Sequence, residues 1–131
     1  MIGNPPSGAE RRRSPQRLPT GLPARCITLS GSYRVYLLDL SPDGCRIEVD
    51  AEATRRPEPQ PGETVILQWG GYEKLGGLVW LSQHIGGISF EEMVTVRELM
   101  GTRAMQEEYL QQGGRQNEAA RYANEWTSGS R

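Results

Sequence analysis

The chain is poor in several residue types, and each shortage closes off a class of function. His84 is its only histidine, Lys74 its only lysine and Phe90 its only phenylalanine. The lone histidine has no serine or cysteine partner at a recognisable spacing. No nucleophile–base pair, metal cluster or phosphate loop is visible, so we expect neither an enzyme nor a metal or cofactor site. Two cysteines, Cys26 and Cys45, make neither a disulfide framework nor a zinc spacing. They read as small apolar core residues on strands. No apolar run approaches the length of a membrane span, and the N-terminal residues lack the apolar core of a signal peptide. The expected location is the cytoplasm, with both thiols reduced and no membrane insertion.

Net charge is −1 over 131 residues, so the molecule as a whole has no field to draw in a nucleic-acid polymer. Aromatics make up 7% of the chain, too few to alternate with a basic face as single-strand-binding barrels require. The basic charge is local and nearly all arginine. Five of the arginines lie between Arg11 and Arg25, most of them in Arg11-Arg12-Arg13-Ser14-Pro15-Gln16-Arg17. Arginine presents a planar fork suited to phosphates and to guanine.

Met1–Glu10 carries Pro5-Pro6, Ser7 and Gly8 and reads as a flexible arm. Pro15 argues against a helix through the arginine run, and Pro19, Gly21 and Pro23 keep the chain irregular or extended up to Ala24. Period-two patterning then predicts strands over Arg25–Ser30, with Ile27 and Leu29 on one face, over Ser32–Leu38 and over Cys45–Asp50. Further strands are expected over Thr64–Trp69, Leu75–Leu81 and His84–Phe90, the last with a bulge or bend at Gly86-Gly87. Ala51–Gly62 reads as a loop. Trp69 and Trp80 are expected in the core. From Glu91 the period becomes helical, with Met93, Val96, Met100 and Ala104 forming the stripe expected to dock a helix on the barrel. Glu91-Glu92 suit its N-terminus, Gly101 weakens its middle, and Gly113-Gly114 stops it. With 16 glycines, 9 prolines and 36% hydrophobic residues, these elements predict a mainly β chain. Its core is a six-stranded antiparallel barrel, closed to hide its edges. The expected division is an arm over 1–24, the barrel over 25–91, a C-terminal helix over 92–112 and a polar, disordered tail over 113–131.

Two motifs carry the chemistry. Arg13 and Arg17 form Arg-x-x-x-Arg. Asp39, Ser41 and Gly44 form Asp-x-Ser-x-x-Gly, closing an early strand on turn-forming Pro42-Asp43-Gly44. An arginine fork can meet guanine O6 and N7 with two hydrogen bonds, worth roughly 1–3 kcal/mol of discrimination. A carboxylate can accept from N1–H and N2–H on guanine's other edge. Phosphates call for charge-assisted donors, serine can donate, and glycine lets a ring approach the backbone. Asp39 and Ser41 could equally serve the turn alone.

Both motifs, in this order and ahead of Leu78-Val79-Trp80 and Ile85-Gly86-Gly87-Ile88-Ser89-Phe90, resemble the PilZ domain, a family of bacterial receptors for cyclic di-GMP. The resemblance implies a PilZ-like barrel in which Arg13 and Arg17 contact guanine and phosphate. Asp39 and Ser41 would hold a guanine edge, and Gly44 would permit close approach. A long basic residue at the position of Arg12 goes, in relatives, with two stacked, intercalated ligand molecules. The implied function is second-messenger signalling. Ligand binding would order the arm, and the changed surface would be presented to a partner protein. The alternative is a PilZ-like adaptor that binds a protein partner through its helix and no nucleotide.

Overall fold

The computed structural model describes residues 17–51 and 57–116. Its elements are β1 (Leu18–Thr28), β2 (Gly31–Ser41), β3 (Gly44–Val49), β4 (Thr64–Trp69), β5 (Tyr72–Ser82), β6 (Ile85–Phe90) and α1 (Val96–Gln111). The strands close in the order β1-β2-β3-β6-β5-β4, every neighbouring pair antiparallel. The expected mainly β architecture, a six-stranded antiparallel barrel followed by a helix, is what the chain forms. Arg12 and Arg13, the middle of the 51–62 loop and the tail beyond Gln116 lie outside the described residues.

β1 begins at Leu18, well ahead of the expected Arg25, and takes in both Pro19 and Pro23. Only Arg25, Cys26 and Ile27 of β1 pair with β4. The earlier part pairs with β2 alone, so one of its edges needs no N–H donors and tolerates proline. A register shift between Pro19 and Leu22 absorbs the irregularity. The inward face of the strand belongs to Leu22, Cys26 and Thr28, whereas Leu29 is fully exposed in the β1–β2 turn. β2 runs on past Leu38 to Ser41, so Asp39 and Ser41 stand on a strand rather than in a turn.

Val35, Leu37, Leu40, Ile47, Val65 and Leu67 fill the barrel; β3 and β4 bury alternate residues, and β2 changes phase between Leu37 and Leu40, where its register against β3 shifts. Trp69 is 1% exposed and stacks on Phe90, ring centroids 6.3 Å apart. Trp80, expected in the core, is instead 42% exposed. The cause is a register shift between Leu78 and Trp80, which puts the expected irregularity of the β5–β6 ribbon on β5 rather than at Gly86-Gly87. β6 begins at Ile85, because Gln83 and His84 form the hairpin turn, both with positive φ (53° and 73°).

The helix starts later than Glu91-Glu92. Thr95 caps it in a capping box with Glu98. Its barrel-facing side is not the expected stripe. Met93, Val96 and Met100 are exposed, Ala104 is exposed, and Leu99, Thr102, Met105 and Tyr109 face the core. That face lies roughly half a turn round the helix from the stripe. Polar contacts select it: Trp69 Nε1 donates to Thr102 Oγ1 at 2.9 Å, the Gly21 N–H donates to Gln106 Oε1 at 2.9 Å, and Lys74 Nζ lies 3.0 Å from Glu98 Oε1. Gly101 sits where any Cβ would collide with the Tyr72 hydroxyl, so it brings α1 close to the barrel.

Candidate functional site

The hairpin of β2 and β3 turns through Pro42-Asp43, pairing Ser41 with Gly44, Leu40 with Cys45 and Asp39 with Arg46. β1 lies on the other side of β2 and pairs Pro19 with Asp39 and Leu18 with Leu40. Arg17, just before β1, therefore arrives at Asp39. Arg17 Nη1 donates to Asp39 Oδ1 and Arg46 Nε donates to Asp39 Oδ2, each at 2.6 Å. The Asp39 side chain is 4% exposed while those of Arg17 and Arg46 are 48% and 50% exposed. A carboxylate this buried needs paired donors, and here two half-exposed guanidinium groups supply them.

Ser41 Oγ lies 3.0 Å from Asp43 Oδ1 and 3.1 Å from the Gly44 carbonyl oxygen. The turn role considered for Ser41 is thus present in the geometry, whereas Asp39 is held by the side chains of Arg17, just before β1, and Arg46, on β3. Gly44 has a reason of its own: a Cβ there would collide with the Ile88 carbonyl oxygen on β6. The cleft above these residues has a volume of about 520 Å³ and is floored by β2, β3, β6 and β5. Arg17, Asp39, Ser41, Gly44, Arg46 and Trp80 all border it. Cys45 borders it too, but burial, with the nearby Asp39 carboxylate adding, pushes its thiol pKa far up. The thiol is therefore a packing group rather than a nucleophile.

Of the residues singled out in the sequence, Arg17, Asp39, Ser41 and Gly44 come together; Arg12 and Arg13 lie outside the described residues. His84 does not border the cleft; it sits in the β5–β6 turn against Glu58. Two residues at the cleft escaped the sequence reading. Arg46 looked like one polar residue of an alternating strand. Counting back across a two-residue turn from Ser41 and Gly44 would have placed it opposite Asp39. Trp80 was hidden by the β5 register shift.

A second depression, of about 580 Å³, is bordered by Leu18, Pro42, Met93, Val96, Leu99 and Met100, with Arg17 and Arg103 as its charged members. Arg17 therefore belongs to the margins of both hollows.

Residues 10–92 match the PilZ domain family, and the chain belongs to it. PilZ domains are in general a family of cyclic di-GMP receptors and adaptors. Among solved structures, the chain is similar to the crystal structure of the PilZ domain of CeSA from a cellulose synthesizing bacterium. The match has 13% identity and a TM-score of 0.45, over 70% of this chain and 95% of that one. No curated protein matches the chain.

Proposed function

We propose that this chain is a cytoplasmic, non-enzymatic receptor for cyclic di-GMP that signals to a partner protein. The observation that carries the reading is the convergence of Arg17, Asp39, Ser41 and Gly44 on one cleft, with Arg17 and Asp39 separated by 22 residues of sequence. A guanine edge offers N1–H and N2–H to a carboxylate, and a phosphodiester takes charge-assisted donors from guanidinium groups. Asp39 is the acceptor in this scheme. Arg17, with Arg13 and Arg12 just before it in the chain, supplies the donors.

Asp39 has both oxygens engaged by arginines, so a guanine reaching it must displace at least one of them. Arg17 precedes β1, whereas Arg46 lies within β3 between two paired strands. Arg17 is the one that moves. The ligand thus exchanges an internal ion pair for contacts of its own and holds the arginine segment against the barrel. The binding energy selects that arrangement over the others open to the segment. Arg12 extends the site to a second, intercalated ligand molecule. Calorimetric titration of the folded protein with cyclic di-GMP should give saturable heat at two ligands per chain. No heat from a protein with an intact melting transition would overturn the reading.

The exposed apolar surface of Met93, Val96 and Met100 favours a second reading, an adaptor that docks a protein through α1 without nucleotide. Under it, Val96→Glu with Met100→Glu abolishes partner capture, and cyclic di-GMP leaves capture unchanged.

A further inference from the structure

We infer that Arg46, which belongs to neither motif, is a specificity-determining contact for the nucleotide: it reads the O6/N7 edge of a guanine. The inference rests on the cyclic di-GMP reading and concerns a residue that reading does not use. Arg46 is placed by rigid structure. Its backbone pairs with Asp39 on one side and with Gly87 on the other. Its Nε donates to Asp39 Oδ2 at 2.6 Å, which fixes the direction of the guanidinium plane. The two terminal nitrogens have no other hydrogen bond among the described residues, and the half-exposed side chain borders the cleft.

Balancing the charge of Asp39 takes only the Nε end of Arg46. A guanidinium tied among the described residues only through Nε leaves its outer fork for other partners, and that fork fits two acceptors side by side. Guanine presents such a pair at O6 and N7; adenine presents an acceptor beside a donor. The floor of the cleft fits the same base. Asp39, Arg46, Gly87 and Trp80 form one row across β2, β3, β6 and β5. At the usual strand spacing Trp80 stands roughly 10 Å from Arg46 along that row. Gly87 carries no side chain, and the Trp80 indole lies over it on the side of Arg46: a Cβ there would meet the ring at 2.8 Å from Cε2. A purine stacked on the exposed indole directs one edge at the fork of Arg46. Asp39 then has two roles, accepting from one guanine edge and aiming the arginine that reads another.

The test is a double-mutant cycle by calorimetry. The proteins are the parent, Arg46→Lys and Arg46→Gln. The ligands are cyclic di-GMP, its 7-deazaguanine analogue and cyclic di-AMP, and melting curves confirm each fold. Arg46→Lys keeps the charge beside Asp39 but loses the fork. We expect both variants to bind cyclic di-GMP about tenfold or more weakly than the parent, the loss of a forked contact. Their affinity for cyclic di-AMP should change little. The deaza analogue should bind the parent more weakly than cyclic di-GMP does, and the variants equally. Parent-like affinity in Arg46→Lys, equal losses for the two dinucleotides, or deaza and mutational losses that simply add would overturn the assignment while leaving the receptor reading intact. If a variant does not fold, the deaza analogue binding the parent as tightly as cyclic di-GMP is sufficient to overturn it. A parent that binds no cyclic dinucleotide overturns the receptor reading and this inference together.

Discussion

Arg17 Nη1 and Asp39 Oδ1 are joined by a 2.6 Å hydrogen bond, so the last residue of the arginine run is fastened to the far end of β2. Removing either end should affect the ligand more than the fold. Charge-assisted hydrogen bonds of this kind are each worth roughly 1.5–3 kcal/mol, or about a tenfold to hundredfold change in dissociation constant. Arg17→Ala and Asp39→Ala should each weaken cyclic di-GMP binding by at least that much in calorimetry. Arg17→Ala should also lower the melting temperature, because it leaves the buried Asp39 Oδ1 without this donor while Arg46 still holds Oδ2. Either variant binding like the parent would count against the roles given to these residues.

Arg12 stands immediately before the Arg13-x-x-x-Arg17 motif, and the proposed function gives it the second ligand molecule. Replacing it by leucine removes the charge while keeping bulk. Arg12→Leu should lower the stoichiometry from two cyclic di-GMP molecules per chain to one, read from the molar ratio in calorimetry. An unchanged ratio would refute the paired-ligand proposal.

The barrel could be read from the sequence wherever strands bury one face, because inward Val35, Leu37, Ile47 and Val49 alternate with wetter neighbours. The Asp39–Gly44 corner was legible because turn chemistry and site chemistry use the same residues. Three features were not, each for a long-range reason. β1 starts at Leu18 because only β2 pairs with its first part, a fact about strand order. Trp80 is exposed because β5 shifts register against β6. The apolar stripe of α1 faces outward because Thr102, Gln106 and Glu98 are held by Trp69, Gly21 and Lys74, partners far away in sequence.

Thr102 is fully buried and serves two partners: its Oγ1 accepts from Trp69 Nε1 at 2.9 Å and donates to the Glu98 carbonyl oxygen at 2.8 Å. Valine has nearly the same shape and neither capacity. Thr102→Val leaves a buried indole N–H without an acceptor, at a cost of about 1–3 kcal/mol. The expected result is a lower urea midpoint with an unchanged slope. Met100→Gln, on the exposed side of the same helix, should stay within about 0.5 kcal/mol of the parent. A larger loss from Met100→Gln than from Thr102→Val would mean that α1 docks by its other face.

Glu98 links the helix cap to the barrel. Its Oε1 accepts from the Thr95 backbone N–H at 2.9 Å and lies 3.0 Å from Lys74 Nζ. The hydrogen bond from the Thr95 backbone, with the Lys74 ammonium adding to it against some desolvation, holds the carboxyl below its ordinary range. A depressed folded-state pKa stabilises the fold above the unfolded value, about 4.3 for glutamate, and that stabilisation is lost as pH falls through the folded value. Glu98→Gln keeps an acceptor for the cap but does not ionise. Urea midpoints for parent and variant should therefore differ most at neutral pH, with the parent higher, and the gap should close as pH falls through and below the ordinary glutamate range. A gap that stays constant down to pH of about 3, well below that range, would show that ionisation of Glu98 contributes nothing and that the cap acts through hydrogen bonding alone.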